Sequence, residues 1–88
     1  MIVEFLDSFY RDLENKVQPQ DKSRLIKTIL AIEEAETMNK FPNLKKLAGH
    51  RFAYRIRLGD YRLGIFIENN VVQLARFVYR KDIYKLFP

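Results

Sequence analysis

Cysteine and tryptophan are absent from this 88-residue chain, histidine occurs once, and glycine and proline occur three times each. Without cysteine there is no disulfide framework, no thiolate nucleophile and no thiolate zinc site. A single histidine, His50, cannot build a metal centre alone, so no metal or other cofactor is expected. No stretch reaches the roughly 18 apolar residues of a membrane span, and the opening MIVEFLDSFYRDLE has neither the positive start nor the apolar centre of a signal peptide. The expectation is a cytoplasmic protein with no membrane association. Repeats, low-complexity stretches and Ser/Gly-rich linkers are also missing, which points to one domain over residues 1–88.

Apolar residues are plentiful at 48%, with 14% aromatic, so the chain has the means to bury a core. Its net charge of +5 is unevenly spread. Residues 1–44 carry 6 Lys/Arg against 8 Asp/Glu, whereas residues 45–88 carry 10 against 3. An acidic first half followed by a basic second half is the pattern of a scaffold joined to a sheet that meets a polyanion. A basic surface kept only for solubility gives the same totals.

The apolar spacing predicts a strand over Met1–Phe5, a helix from Asp7 and Ser8 to Val17 on the stripe Phe5, Phe9, Leu13 and Val17, and a second helix from Pro19 to Glu36. Leu25, Ile29, Ile32 and Ala35 form the buried stripe of that second helix, with Ile26 and Leu30 broadening it. Periodicity is lost between Asn39 and Arg51, which reads as a loop with Leu44 and Leu47 as anchors. Three strands follow. Tyr54, Ile56 and Leu58 alternate with Arg55 and Arg57; Gly59-Asp60 turns; Tyr61–Glu68 alternates again; Asn69-Asn70 signals a hairpin; and Val71–Tyr79 is apolar on both faces, as in a doubly covered or bulged strand. Asp82–Leu86 could close the chain with one helical turn. The expected fold is α+β, in the order β-α-α-β-β-β, with two helices on one face of a mainly antiparallel sheet and the arginine-bearing face free.

Arginine is the residue this basic half favours on its strands. A guanidinium stays charged and offers five donors in a plane that matches phosphate oxygens, so Arg55, Arg57 and Arg62 on neighbouring strands, followed by Arg80, form a candidate phosphate site. Lys45, Lys46, Arg51, Lys81 and Lys85 are candidates for steering a polyanion, RNA among the possibilities, towards it. Phe77, Tyr79 and Tyr61 read as core.

The strings Lys46-Leu47, YRIRLGDYRL at 54–63, Leu74-Ala75-Arg76 and RKDIY at 80–84 resemble the RelE/ParE superfamily of toxins from bacterial toxin–antitoxin systems, over nearly the whole chain. That resemblance implies a RelE-like fold, a cognate antitoxin partner in a hetero-oligomeric complex, and one of two activities. One branch cuts messenger RNA in the ribosomal A site without metal, in contact with ribosomal RNA; the other poisons DNA gyrase. A homologue that has lost catalysis and acts only with its antitoxin is a third possibility. Carried onto this chain, the resemblance makes Arg55, Arg57, Arg62, Arg80 and Tyr84 the catalytic set. Arg62 and Arg80 would bind the phosphate, and Tyr84 would orient a nucleotide or help move a proton. Two positions depart from the pattern. Arg55 and Arg57 stand where some relatives carry lysine, and Tyr79 stands where a histidine is frequent.

Overall fold

The computed structural model describes all residues 1–88. Its elements are β1 (Ile2–Phe5), α1 (Asp7–Leu13), α2 (Pro19–Glu34), a 3-10 turn (Met38–Lys40), β2 (Leu44–Lys46), β3 (Ala53–Leu58), β4 (Tyr61–Glu68), β5 (Val71–Tyr79) and α3 (Ile83–Leu86). They form a five-stranded sheet in the order β1-β5-β4-β3-β2, antiparallel except where β1 runs parallel to β5. No helix is long and apolar enough to cross a membrane.

The α+β fold has the expected helices on one sheet face, with differences at element ends. The first helix stops at Leu13 rather than Val17, and Val17 is buried from the following loop. The spacing of four that ran from Phe5 to Val17 therefore joined a strand residue and a loop residue to a two-turn helix. On α2, Ile26 and Leu30 are exposed and do not widen the buried stripe of Leu25, Thr28 and Ile32. The expected loop contains β2, a three-residue edge strand pairing with β3, too short and too lysine-rich to show alternation. The hairpin residues behave as their chemistry dictates: Asn69 and Asn70 take φ of 50° and 65°, and Gly59 takes 60°.

Both sheet faces are covered. On the helix face, Phe9, Leu25, Ile32, Ile56, Leu63, Ile65, Leu74 and Phe77 belong to one buried cluster. On the other, Leu47, Ala53, Ala75, Val78, Ile83 and Phe87 form a second. The expectation of a free arginine-bearing face is thus corrected: the C-terminal segment lies across its middle. Gly64 makes this possible, because a Cβ there would stand 2.7 Å from Phe87 Cγ.

The last residues of β5 reach beyond β1, and α1 takes over their pairing. After Leu6 N–H donates to Leu74 O, the Ser8 hydroxyl donates to Ala75 O at 2.6 Å, and Phe77 N–H donates to Asp12 Oδ2 at 2.8 Å. Asp12 also accepts two bonds from Arg76, at 2.8 Å from Nε and 3.0 Å from Nη2. Ala75 is an extra residue in β5, since Gly64 pairs with Arg76 while Ile65 pairs with Leu74. This bulge turns Leu74 to the helix face and Arg76 to the opposite one.

Asp12→Ala would orphan a buried N–H and leave a mostly buried guanidinium without its anion, and should lower stability by about 2–3 kcal/mol in chemical denaturation. A loss below about 1 kcal/mol would show that the contact is not structural. Gly64→Val should displace Phe87 and speed amide hydrogen exchange at residues 83–87 ahead of the rest of the sheet; unchanged exchange there would contradict the packing described.

Candidate functional site

Strand register decides which cations share a face. Lys45 lies opposite Arg55, and Arg57 opposite Arg62, so four cations occupy adjacent rows of one face of β2, β3 and β4. Like charges directly opposite one another destabilise a sheet. No carboxylate relieves them: the ion pairs of the molecule involve Arg24, Arg76 and Lys85, and none involves Arg55, Arg57, Arg62 or Arg80.

Backbone carbonyls anchor three of the site residues. Arg55 Nη1 donates to the carbonyl of Asn43, which itself takes φ of 58°, while Arg55 Nε is buried without a partner. Arg62 Nη1 donates to Gly59 O at 2.8 Å and Tyr61 O at 2.9 Å, which bends the side chain over the β3–β4 turn. Arg80 N–H donates to Asp60 O at 2.8 Å, tying the end of β5 to that same turn. Tyr84 stands in α3 and is 64% exposed.

These groups share one electrostatic environment. Burial first, then the charges of Arg55, Arg57 and Arg80, hold the Arg62 guanidinium below its ordinary value, with Tyr84 acting in the opposite sense. The Tyr84 phenol is also held below its ordinary value. The main cause is hydrogen bonding to the Arg55 side chain, assisted by the charges of Lys45, Arg55 and Arg62 and opposed by burial. The structure therefore brings Arg55, Arg57, Arg62, Arg80 and Tyr84 together, with Lys45 at the border. Such a cluster can bind a phosphate through several forks and can stabilise charge that grows on its oxygens.

The other basic candidates lie elsewhere. Lys46 points to the opposite face, where its ammonium donates to His50 O and Arg51 O and lies 5.2 Å from the centroid of the Tyr54 ring. Arg51 stacks over Phe52 beyond the start of β3, at the far strand end from Arg57. Lys81 is exposed in the turn after β5, and Lys85 makes a loose 3.9 Å contact with Asp82. No three His, Cys, Asp or Glu side chains are grouped so that they could hold a metal ion.

No protein-family model matches the chain. It is 37% identical over 92 aligned residues to the toxin RelE3 of Methanocaldococcus jannaschii, covering 100% of both proteins. The chain belongs to the RelE toxin family. The toxin–antitoxin complex RelB–RelE from Methanococcus jannaschii contains a chain that matches with a TM-score of 0.82 and 30% identity, over 97% of this chain and 99% of that one. A chain of the RelBE2 toxin–antitoxin complex from Mycobacterium tuberculosis shares the fold with a TM-score of 0.71 at 23% identity, over 90% of this chain and 96% of that one.

In this RelE-family chain, the cations gathered on one sheet face were the easy part to find in the sequence. The groups that place them were harder: the Asn43 carbonyl under Arg55, and Phe87, whose burial seats the segment carrying Tyr84. Gly64 was a usable signal, since a glycine inside a strand marks a close approach. Titration of Tyr84 by carbon NMR should show phenolate forming below the ordinary phenol value, and Arg55→Ala should move the transition upward. A Tyr84 that titrates normally and ignores Arg55→Ala would refute this coupling.

Proposed function

We propose that this chain is the toxin of a type II toxin–antitoxin pair and a metal-independent endoribonuclease that cuts messenger RNA in the ribosomal A site. The observation that carries this reading is the gathering of Arg55, Arg57, Arg80 and Tyr84 around Arg62, four arginines without carboxylate partners beside a tyrosine whose phenol is held below its ordinary value. Retaining like charges side by side has a cost in the free protein, and a bound phosphate diester removes it.

The reaction assigned to the site is attack of an RNA 2′-hydroxyl on the adjacent phosphorus. The new P–O bond forms as the bond to the 5′-oxygen breaks, leaving a cyclic phosphate, and the departing 5′-oxygen takes a proton from water to become a free 5′-hydroxyl. Arg62 and Arg80 neutralise the charge gathering on the non-bridging oxygens. Tyr84, kept partly ionisable by Arg55, accepts the proton of the attacking hydroxyl or orients it. Arg57 faces Arg62 across the strands and adds positive potential without having to move a proton. A RelE-family chain of this design has a reason to be covered when idle, and an antitoxin with an acidic segment would neutralise the cluster. The structural relatives found in RelB–RelE complexes support that partner.

Purified protein added to programmed ribosomes should cut the A-site codon, with a gyrase supercoiling reaction left unaffected. Arg80→Ala should slow cutting by about 10²–10³-fold while the chain stays folded, as expected for loss of a group that stabilises transition-state charge. Arg62→Lys should be impaired as well, because a point charge cannot replace the fork. Intact message with a folded wild-type protein would overturn the reading, and trapped gyrase–DNA complexes would replace it with the gyrase-directed one.

A further inference from the structure

A cavity of about 280 Å³ lies beside the arginine cluster, between the loop after β2 and the C-terminal segment. Lys45, Leu47, Ala48 and His50 wall it on one side, and Tyr84 and Phe87 on the other. Two of these residues tie the cavity to the candidate phosphate site, since Lys45 lies opposite Arg55 across the strands and Tyr84 shares the electrostatic environment of Arg55 and Arg62. The loop wall is held in place rather than loose. The Lys46 ammonium donates to the carbonyls of His50 at 3.0 Å and Arg51 at 2.6 Å, His50 N–H donates to Leu47 O, and Gly49 supplies the φ of 79° that turns the chain.

The chemistry of the walls selects the occupant. Leu47 and Phe87 are buried and give an apolar base, while Tyr84 and His50 bring planar rings with polar edges. A flat, polar-edged heterocycle fits such a site, and single-stranded RNA is commonly held by stacking its bases on aromatic side chains. The larger cavity below the Asn69-Asn70 hairpin includes Glu4 and Glu68 among its lining residues and has the wrong charge for RNA.

We propose that this cavity seats the nucleobase adjoining the scissile phosphate, and that His50 reads that base. The inference rests on the endoribonuclease reading and deepens it. It gives the lone histidine a role in base selection rather than in proton transfer. It also gives Lys46 a role as the residue that positions the reading loop.

Titration of the chain with inorganic phosphate and with the four ribonucleoside 3′-monophosphates, followed by NMR, tests it. Phosphate should move the Arg55 and Arg62 signals and leave the Ala48 and His50 amides still. The nucleotides should move both sets and bind about tenfold more tightly than phosphate, within the range of one stacked base, with one base preferred. His50→Ala should flatten the preference among bases while phosphate binding is unchanged. Ala48→Trp, which fills the cavity from an exposed loop, should remove the advantage of nucleotides over phosphate. Nucleotides that bind no better than phosphate, or a base ranking untouched by His50→Ala, would overturn the proposal and leave the endoribonuclease reading standing. Phosphate that fails to move Arg55 and Arg62 would overturn both.

Discussion

Asp12 is the residue on which the geometry of this molecule turns. Its buried carboxylate accepts from Arg76 twice and from the backbone of Phe77, so one short helix is pinned to the sheet where β5 has outrun its neighbour β1. An unpaired strand edge buried beneath a helix would leave backbone groups unsatisfied. Ser8 and Asp12, four residues apart on one face of α1, supply the missing partners and continue the ladder with side chains. Arg76 Nη1 then reaches Leu86 O at 3.2 Å, which links the same contact to the C-terminal turn.

That link explains how one face can hold both a structural arginine and a group of arginines without carboxylate partners. Lys45, Arg55, Gly64 and Arg76 form a single row across β2, β3, β4 and β5. The missing side chain at Gly64 opens a gap in the row, and the Phe87 ring fills it. Arg76, on one side of the ring, is neutralised by Asp12. Arg55, on the other, has no carboxylate partner; its Nη1 donates to the Asn43 carbonyl and its charge acts on Tyr84. An apolar wedge thus separates a cation that stabilises the fold from one that is kept available. The Phe66 ring, 5.0 Å from that of Phe87 by centroid, supports the wedge from behind.

Much of this was legible in the sequence, and what was not has physical reasons. The β3–β4 alternation and the Asn69-Asn70 hairpin were plain because strict period-two patterning and positive-φ residues are local properties. Arg55, Arg57 and Arg62 on one face followed from the same alternation. The placement of Arg76 was not legible, because the bulge at Ala75 changes the phase of β5 within an apolar run and depends on what α1 and Phe87 do to it. β2 was missed because three residues carry no period. Ile26 and Leu30 were assigned to the core because a helix wheel shows which residues share a face and not how wide a face the sheet can cover. Lys46 looked like its neighbour Lys45; a one-residue step along a strand sends it to the other side.

The composition of the cluster also bears on acid–base chemistry, since its strand cations on β3 and β4 are all arginines. An arginine at 55 or 57 cannot easily give up its proton, so it cannot serve as a base. It can shift the protonation of a neighbour: Arg55, together with Lys45 and Arg62, favours the ionised form of the Tyr84 phenol. Under the proposed reaction, arginine at 55 therefore does not leave the site without a base. The proposed proton acceptor stands in the C-terminal turn, on a segment seated by Phe87 against Gly64 and tied through Arg76 to Asp12.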